Sequence, residues 1–353
     1  MSHSAAPKAN TAAEGDGAPV RGASRSTLRA GAPAHGREGR AWWPWLKRIA
    51  AWTFFALVAW LLVRQARTID WAEVLTAVSE IPVPALLVAL LLAACSFTLY
   101  STYDVLGRHM TGHSLGARTV MAVTFISYAF NLNMGALVGG VAFRYRLYSR
   151  LGLDNLTITR ILGFSMLTNW LGYLVVAGVA FFFWPLGLPP EWKIEGEGLR
   201  VLGAALLVLA AAYLVLCAVA REHTWNVRGH ELQTPALGMA LLQLLLSCVN
   251  WSLIGGVIWF LLQGQLPYPQ VLAVLLVAAV AGVITHVPAG LGVLEAVFVA
   301  LLSHLMPTDR LLGALLAYRA IYYLLPLGIA TAAYLGTEMR ARRRRRQAAV
   351  TRP

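Results

Sequence analysis

From Trp52 to Leu335 the sequence is a succession of long apolar stretches, and its charges are gathered into the short segments between them. An α-helix needs about 20 apolar residues to cross the hydrocarbon of a bilayer. Lipid offers no partner to backbone N–H and C=O groups, so such stretches are confined to elements that satisfy their own hydrogen bonds. Hydrophobic residues fill 58% of the 353 positions and charged residues 13%, against about 25% charged in a soluble domain. A water-facing surface cannot be covered with so few charges. The expected fold class is all-α: a polytopic membrane protein with about six full spans plus two re-entrant hairpins (or eight to nine helices), arranged as an inverted repeat.

The full spans are read at 47–64, 83–103, 161–184, 199–220, 236–263 and 311–335. Two further apolar stretches are broken. Segment 118–141 contains Asn131, Asn133, Gly135, Gly139 and Gly140, and segment 270–305 contains His286, Pro288, Gly290 and Gly292. Basic residues beside spans mark the cytoplasmic side. Lys47 and Arg48 place the N-terminal flank inside, and Arg108 and Arg118 return the chain there. Were 118–141 a complete span, Arg144, Arg146, Arg150 and Arg160 would fall outside. If it dips in and returns, they stay inside. The acidic segment 185–198 then lies outside, 221–235 inside and 264–269 outside. The C-terminal tail carries seven arginines, with the run Arg342 to Arg346, and belongs inside. Stretch 270–305 must therefore enter and leave on the outer side, as a hairpin or as two complete spans.

Each half is then two spans, a hairpin and one span, with opposite orientation. Inverted repeats with broken helices meeting near the midplane are a transporter arrangement. Two hairpin limbs of about 12 residues reach about 18 Å each, slightly past the midplane. The expected organisation is a disordered basic tail at 1–45, which has no signal-peptide h-region, a transmembrane domain at 46–337 (halves 46–185 and 198–337), and a basic tail at 338–353. Both termini are expected in the cytoplasm.

Three constellations carry candidate chemistry. The first is Asn131, Gly135, Gly139, Gly140, Arg144 and Arg146. Its glycines fit either close helix packing or a re-entrant tip, and Arg144 either an interfacial charge or a cation near that tip. The second is His286, Pro288, Gly290, Gly292 and Glu295, where proline and glycine loosen a helix ahead of a carboxylate. An ionisable residue at membrane depth is a functional-site hypothesis by default; the plainer reading is a structural carboxyl. The third is Arg319, deep in the last span. It has little room to snorkel, and its simplest partners are Glu295 or a lipid phosphate. Its counterpart in the first half is expected near Asn169-Trp170, while Asp104 reads as a snorkelling span end.

The net charge of +13 resides in tails and loops, so no nucleic acid is expected. Cys95, Cys217 and Cys248 lie in apolar stretches and read as buried thiols. His109 and His113 have metal-ligand spacing but read as a solvated loop. No cofactor or metal is expected. No nucleophile elbow, paired-carboxylate hydrolase pattern or phosphate loop is present, so the chain is not read as an enzyme. Trp42, Trp43, Trp45, Trp184, Trp192 and Tyr268 suit an interfacial belt.

The stretch from Ser127 to Leu153, with Gly139-Gly140-x-x-x-Arg144-Tyr145-Arg146-Leu147-Tyr148-Ser149-Arg150, together with His286 to Leu302, resembles the YbhN family of bacterial inner-membrane proteins. That family is similar to the transmembrane flippase region of lysylphosphatidylglycerol synthases, and the resemblance covers residues 45 to 337. It implies bacterial inner-membrane residence and a role in moving phospholipid. By match it singles out Gly139, Gly140, Arg144, Pro288, Gly290, Gly292 and Glu295. The soluble aminoacyl-transfer domain of the synthases has no counterpart, so lysyl-lipid synthesis is not implied. The expected function is a transporter or flippase of anionic or aminoacylated phospholipid. The alternatives are a small-solute or ion-coupled transporter, or a non-transporting membrane subunit. The expected partner is membrane phospholipid with an anionic headgroup, and a homo-oligomer is left open.

Overall fold

Apolar runs without a hydrogen-bonding solvent become helices, and the computed structural model bears this out. It describes residues 71–184, 186, 196–220, 224–227, 230–285 and 287–350. The expected span 47–64, the N-terminal tail and His286 lie outside the described residues.

A short helix α1 (Trp71–Ser79) leads into α2 (Val83–Thr111). Pro82 opens α2, and Gly112, with φ 68°, closes it by donating its N–H to the Arg108 carbonyl. α2 has 29 residues, about 43 Å of helix, and therefore continues two turns beyond the expected end at residue 103. There follow α3 (Ala117–Met134), a π-helical segment (Ala136–Ala142), α4 (Phe143–Arg150) and α5 (Asn155–Phe183). Asp154 caps α5 through the N–H groups of Leu156 and Thr157. The Thr157 hydroxyl and these amides hold its carboxyl below the usual carboxylate range. α6 (Gly196–Val219) precedes an antiparallel ribbon pairing Thr224 with Gln233 and Val227 with His230. This ribbon is the one departure from helix among the described elements, and no apolar pattern announces it. The second half comprises α7 (Leu237–Leu261), α8 (Tyr268–Thr285), a tight turn (Pro288–Gly290), α9 (Val293–Leu302), α10 (Thr308–Tyr318), a π-helical segment (Arg319–Leu324) and α11 (Leu325–Val350).

Six described helical runs are long and apolar enough to cross a membrane: Val83–Thr111, Asn155–Phe183, Glu197–Val219, Leu237–Leu261, Tyr268–Thr285 and Thr308–Met339. Their outward faces carry apolar residues such as Leu87, Val208 and Ile284, exposed as lipid-facing side chains should be. The last helix does not stop where the basic tail begins but runs on to Val350.

At the centre α2 packs on α7, and α5 packs on both. These crossings are close. A Cβ on Gly172 of α5 would collide with Ser247 of α7. α6 leans on α5, where Gly203 lies against the Gly178 carbonyl. The core therefore runs along the α2–α5–α7 contact, and the two broken stretches pack around it.

The first broken stretch reverses direction at Gly135, whose φ of 84° and ψ of 166° suit a residue without a side chain. Its limbs differ from the expected 12 residues each. The first is the 18-residue α3, about 27 Å long. The second runs from Ala136 to Arg150 and so contains Arg144 and Arg146 rather than preceding them. The second broken stretch is not two complete spans, because only its first limb is long and apolar enough to cross. α8 has 18 residues, but α9 has ten, about 15 Å of helix. The Pro288–Gly290 turn rests on α3, so the two hairpins touch.

Gly139 and Gly140 have different neighbours across the first hairpin. A Cβ on Gly139 would collide with backbone, the Phe130 carbonyl and the Asn131 nitrogen. A Cβ on Gly140 would meet the Asn131 side-chain Oδ1 at 2.9 Å, an atom free to move. Gly139→Ala should therefore cost about 1–3 kcal/mol through overpacking, and Gly140→Ala well under half of that. Thermal unfolding of the two variants in micelles checks this; equal losses would contradict the hairpin contact.

Candidate functional site

Arg319 opens the π-helical segment of the last span, and its guanidinium reaches the second hairpin. It pairs with Glu295 through Nε and Nη2, the latter at 3.0 Å from Oε2. Nη1 donates to the Ala289 carbonyl at 3.1 Å and Nη2 to the Gly290 carbonyl at 3.0 Å. The carbonyls point this way because the chain is forced out of helix there. Ala289 has φ 58°, an unfavourable value for a residue with a side chain, and Gly290 and Gly292 are also left-handed. Pro288, Gly290 and Gly292 thus act through the backbone, unwinding the helix so that its carbonyls grip a cation. Glu295 follows in the first turn of α9, where the helix dipole favours a negative charge. The Tyr323 ring lies 5.3 Å beneath the guanidinium, a cation–π distance. The sequence expectation that Arg319 meets Glu295 is met. The pair is not sealed: Arg319 is 11% exposed and Glu295 23%.

A second arginine–carboxylate pair lies in the first half. Arg144 of α4 donates from Nε to Asp104 Oδ2 at 2.9 Å and from Nη2 to Oδ1 at 3.1 Å. The Tyr148 hydroxyl donates to the same carboxylate at 2.9 Å, and Ser165 of α5 stands 3.4 Å from Nη2. Arg144 is 3% exposed and Asp104 0%. Two charges removed from water so completely must satisfy each other. The reading of Asp104 as a snorkelling end is overturned, because α2 continues to Thr111 and carries Asp104 into the protein. Arg144 and Arg319 therefore do not share one cluster; each holds its own carboxylate.

The remaining candidates support the hairpins. Asn133, at the first tip, donates to the Ala129 carbonyl at 2.8 Å and to the Tyr323 carbonyl at 3.2 Å, tying that tip to the π-helical segment. The Asn131 carbonyl accepts from Gly135 N–H and closes the turn. Arg146 is exposed and sits 5.6 Å from the Tyr334 ring of α11. Arg150 pairs with Glu338 on the same helix. The Asn169 carbonyl accepts from Ser247 and Trp251, which ties α5 to α7. Ser165, rather than Asn169-Trp170, is the α5 residue nearest a hairpin charge. His113 accepts from the Leu115 N–H, and no metal-binding group of three ligand residues occurs among the described residues. Sequence reasoning missed Asp104, Tyr148 and Ser165. The available signal was the helical spacing Arg144 to Tyr148, which puts both on one face of a helix.

Comparison with known proteins agrees with this architecture. The family model described as the lysylphosphatidylglycerol synthase TM region matches residues 48–330. The chain is 46% identical over 304 residues to inner membrane protein YbhN of Escherichia coli (strain K12), covering 86% of this chain and 96% of that one. An uncharacterized protein of Synechocystis sp. is 34% identical over 282 residues, 78% of this chain and 87% of its own. The phosphatidylglycerol lysyltransferase of Staphylococcus aureus (strain COL) is 30% identical over 90 residues, 24% of this chain and 11% of its own. The resemblance read from Ser127–Leu153 and His286–Leu302 is thereby borne out, and the chain is an integral membrane protein belonging to the lysylphosphatidylglycerol synthase transmembrane-region family.

Proposed function

We propose that this chain moves an anionic or aminoacylated phospholipid between the leaflets of the bacterial inner membrane. The observation that carries the reading is the half-open Arg319–Glu295 pair, held at membrane depth by carbonyls of a broken helix. A charge in that position is costly and usually marks a substrate pathway. Four of the five guanidinium N–H groups have partners among the described residues, and one remains. A phosphate can take the place of the Glu295 carboxylate on the same bidentate edge. Glu295 then becomes free to receive an amine-bearing headgroup, which suits an aminoacylated lipid. The family description and the lysyltransferase relative support a lipid of the phosphatidylglycerol class.

The contacts fit the inverted repeat on which this reading rests, an arrangement that favours transport over scaffolding. α2 and α7, each the span before a hairpin, pack on each other. The first limb of one hairpin, α3, leans on α11, and the first limb of the other, α8, leans on α5. Each second limb rests on the span that follows it, α4 on α5 and α9 on α10. The Arg150–Glu338 pair joins the base of the first hairpin to the beginning of the C-terminal basic segment. That supports a hairpin entering from the side of the C terminus, in line with cytoplasmic termini and positive-inside charge.

The test is translocation in liposomes of the reconstituted full chain, read as protection of headgroup-labelled phosphatidylglycerol from a membrane-impermeant quencher. We expect movement well above empty liposomes. Arg319→Lys keeps the charge but loses the bidentate edge, so it should slow movement by about 10–100-fold, the worth of one charged hydrogen bond of about 1.5–3 kcal/mol. Glu295→Gln, which preserves shape, should alter the rate selectively for an amine-bearing headgroup. Wild-type movement no faster than in empty liposomes would overturn the function.

A further inference from the structure

Between the two ion pairs lies a seam of tyrosines and small polar side chains. Small residues and side chains that hydrogen-bond from helix to helix are both used to join helices in lipid. Here Tyr323 underlies Arg319, and Tyr322, its neighbour in the same π-helical segment, places its hydroxyl 2.7 Å from Ser96 of α2 and 3.3 Å from the Tyr128 hydroxyl of α3. Ser96 in turn donates to Asn250 Oδ1 of α7 at 2.7 Å. Tyr128 stacks on Tyr100 with centroids 3.6 Å apart. Tyr100 stands one helical turn before Asp104, on the same face of α2. Hydrogen bonds thus join Tyr322, Ser96, Asn250 and Tyr128, and ring contacts extend the line to Tyr323 under Arg319 and to Tyr100 on the face of α2 that carries Asp104.

Two groups along this seam have no partner among the described residues, although both residues are wholly buried: Asn250 Nδ2 and Ser127 Oγ. A buried donor left unpaired costs free energy, so a fold that needed only a packed seam would have replaced them with apolar groups. The seam also lies where α2, the first hairpin and the π-helical segment pack on one another. π-helical turns recur at functional sites because their backbone register is irregular.

We infer that this seam is the path of the lipid headgroup, and that Ser96, Asn250 and Tyr322 form a midway station for the phosphate of an anionic glycerophospholipid. The inference rests on the proposed function. A phosphate leaving Arg319 meets the Tyr322 and Ser96 hydroxyls and the Asn250 amide as donors before it reaches Arg144. Asp104 holds Arg144 until the phosphate arrives, as Glu295 holds Arg319.

The test uses the full chain in liposomes of phosphatidylglycerol or phosphatidylcholine, with Cys95, Cys217 and Cys248 replaced by alanine. A single cysteine is placed at Ser96 or, as a control, at Thr168, which is equally buried but bonded to Gln243 away from the seam. Reaction with a charged, membrane-impermeant thiol reagent is followed. Position 96 should react about tenfold faster in phosphatidylglycerol than in phosphatidylcholine, and position 168 should show no difference. In parallel, Tyr322→Phe, which keeps the ring and removes only the hydroxyl, should slow phosphatidylglycerol translocation by about tenfold. If the wild type moves phosphatidylglycerol but position 96 reacts no faster than 168, or Tyr322→Phe keeps the full rate, the path is overturned and the function stands. A wild type that moves no phosphatidylglycerol overturns both.

Discussion

A charge inside a bilayer has to find an opposite charge or carry a heavy desolvation penalty. Two arginines in this chain are held away from water, and each is met by a carboxylate from a different element. Arg144 on the first hairpin meets Asp104 on α2, and Arg319 on the last span meets Glu295 on the second hairpin. Neither hairpin limb that carries a charge can leave its neighbour without exposing an unpaired ion to lipid. The pairs therefore fix where broken helices sit, and the break at Pro288–Gly290 supplies the carbonyls that brace Arg319.

The two pairs differ in closure. Asp104–Arg144 is sealed by Tyr148 and Ser165. Arg319–Glu295 is partly open and braced by carbonyls instead of hydroxyls. The seam of Tyr322, Ser96, Asn250 and Tyr128 lies between them, at the crossing of α2, α3 and α7.

Much of this was legible in the sequence, for physical reasons. Apolar length revealed the spans, because crossing lipid demands it. The arginines after residue 141 revealed that the first broken stretch turns back, and the turn is at Gly135. Arg319 and Glu295 could be paired because neither had anywhere else to go. Asp104 was misplaced because the hydrophobic run loses its continuity near Tyr103, while the helix itself continues to Gly112. Helix length is set there by a C-terminal cap and by packing, which hydropathy does not report. The limbs of the first hairpin were read as about 12 residues each, whereas its first limb has 18, and the second broken stretch pairs an 18-residue limb with a ten-residue one. The ribbon at Thr224–Gln233 and the π-helical segments leave no periodic apolar trace.

The central claim is that buried arginine–carboxylate pairing holds the hairpins in place, and a double-mutant cycle on Asp104 and Arg144 tests it most directly. Unfolding free energies of Asp104→Leu, Arg144→Met and the double variant would be measured in one micelle system. Each single variant should lose about 3–5 kcal/mol by stranding a buried charge, and the double variant should lose much less than either. Losses that simply add, or single variants as stable as the wild type, would contradict it.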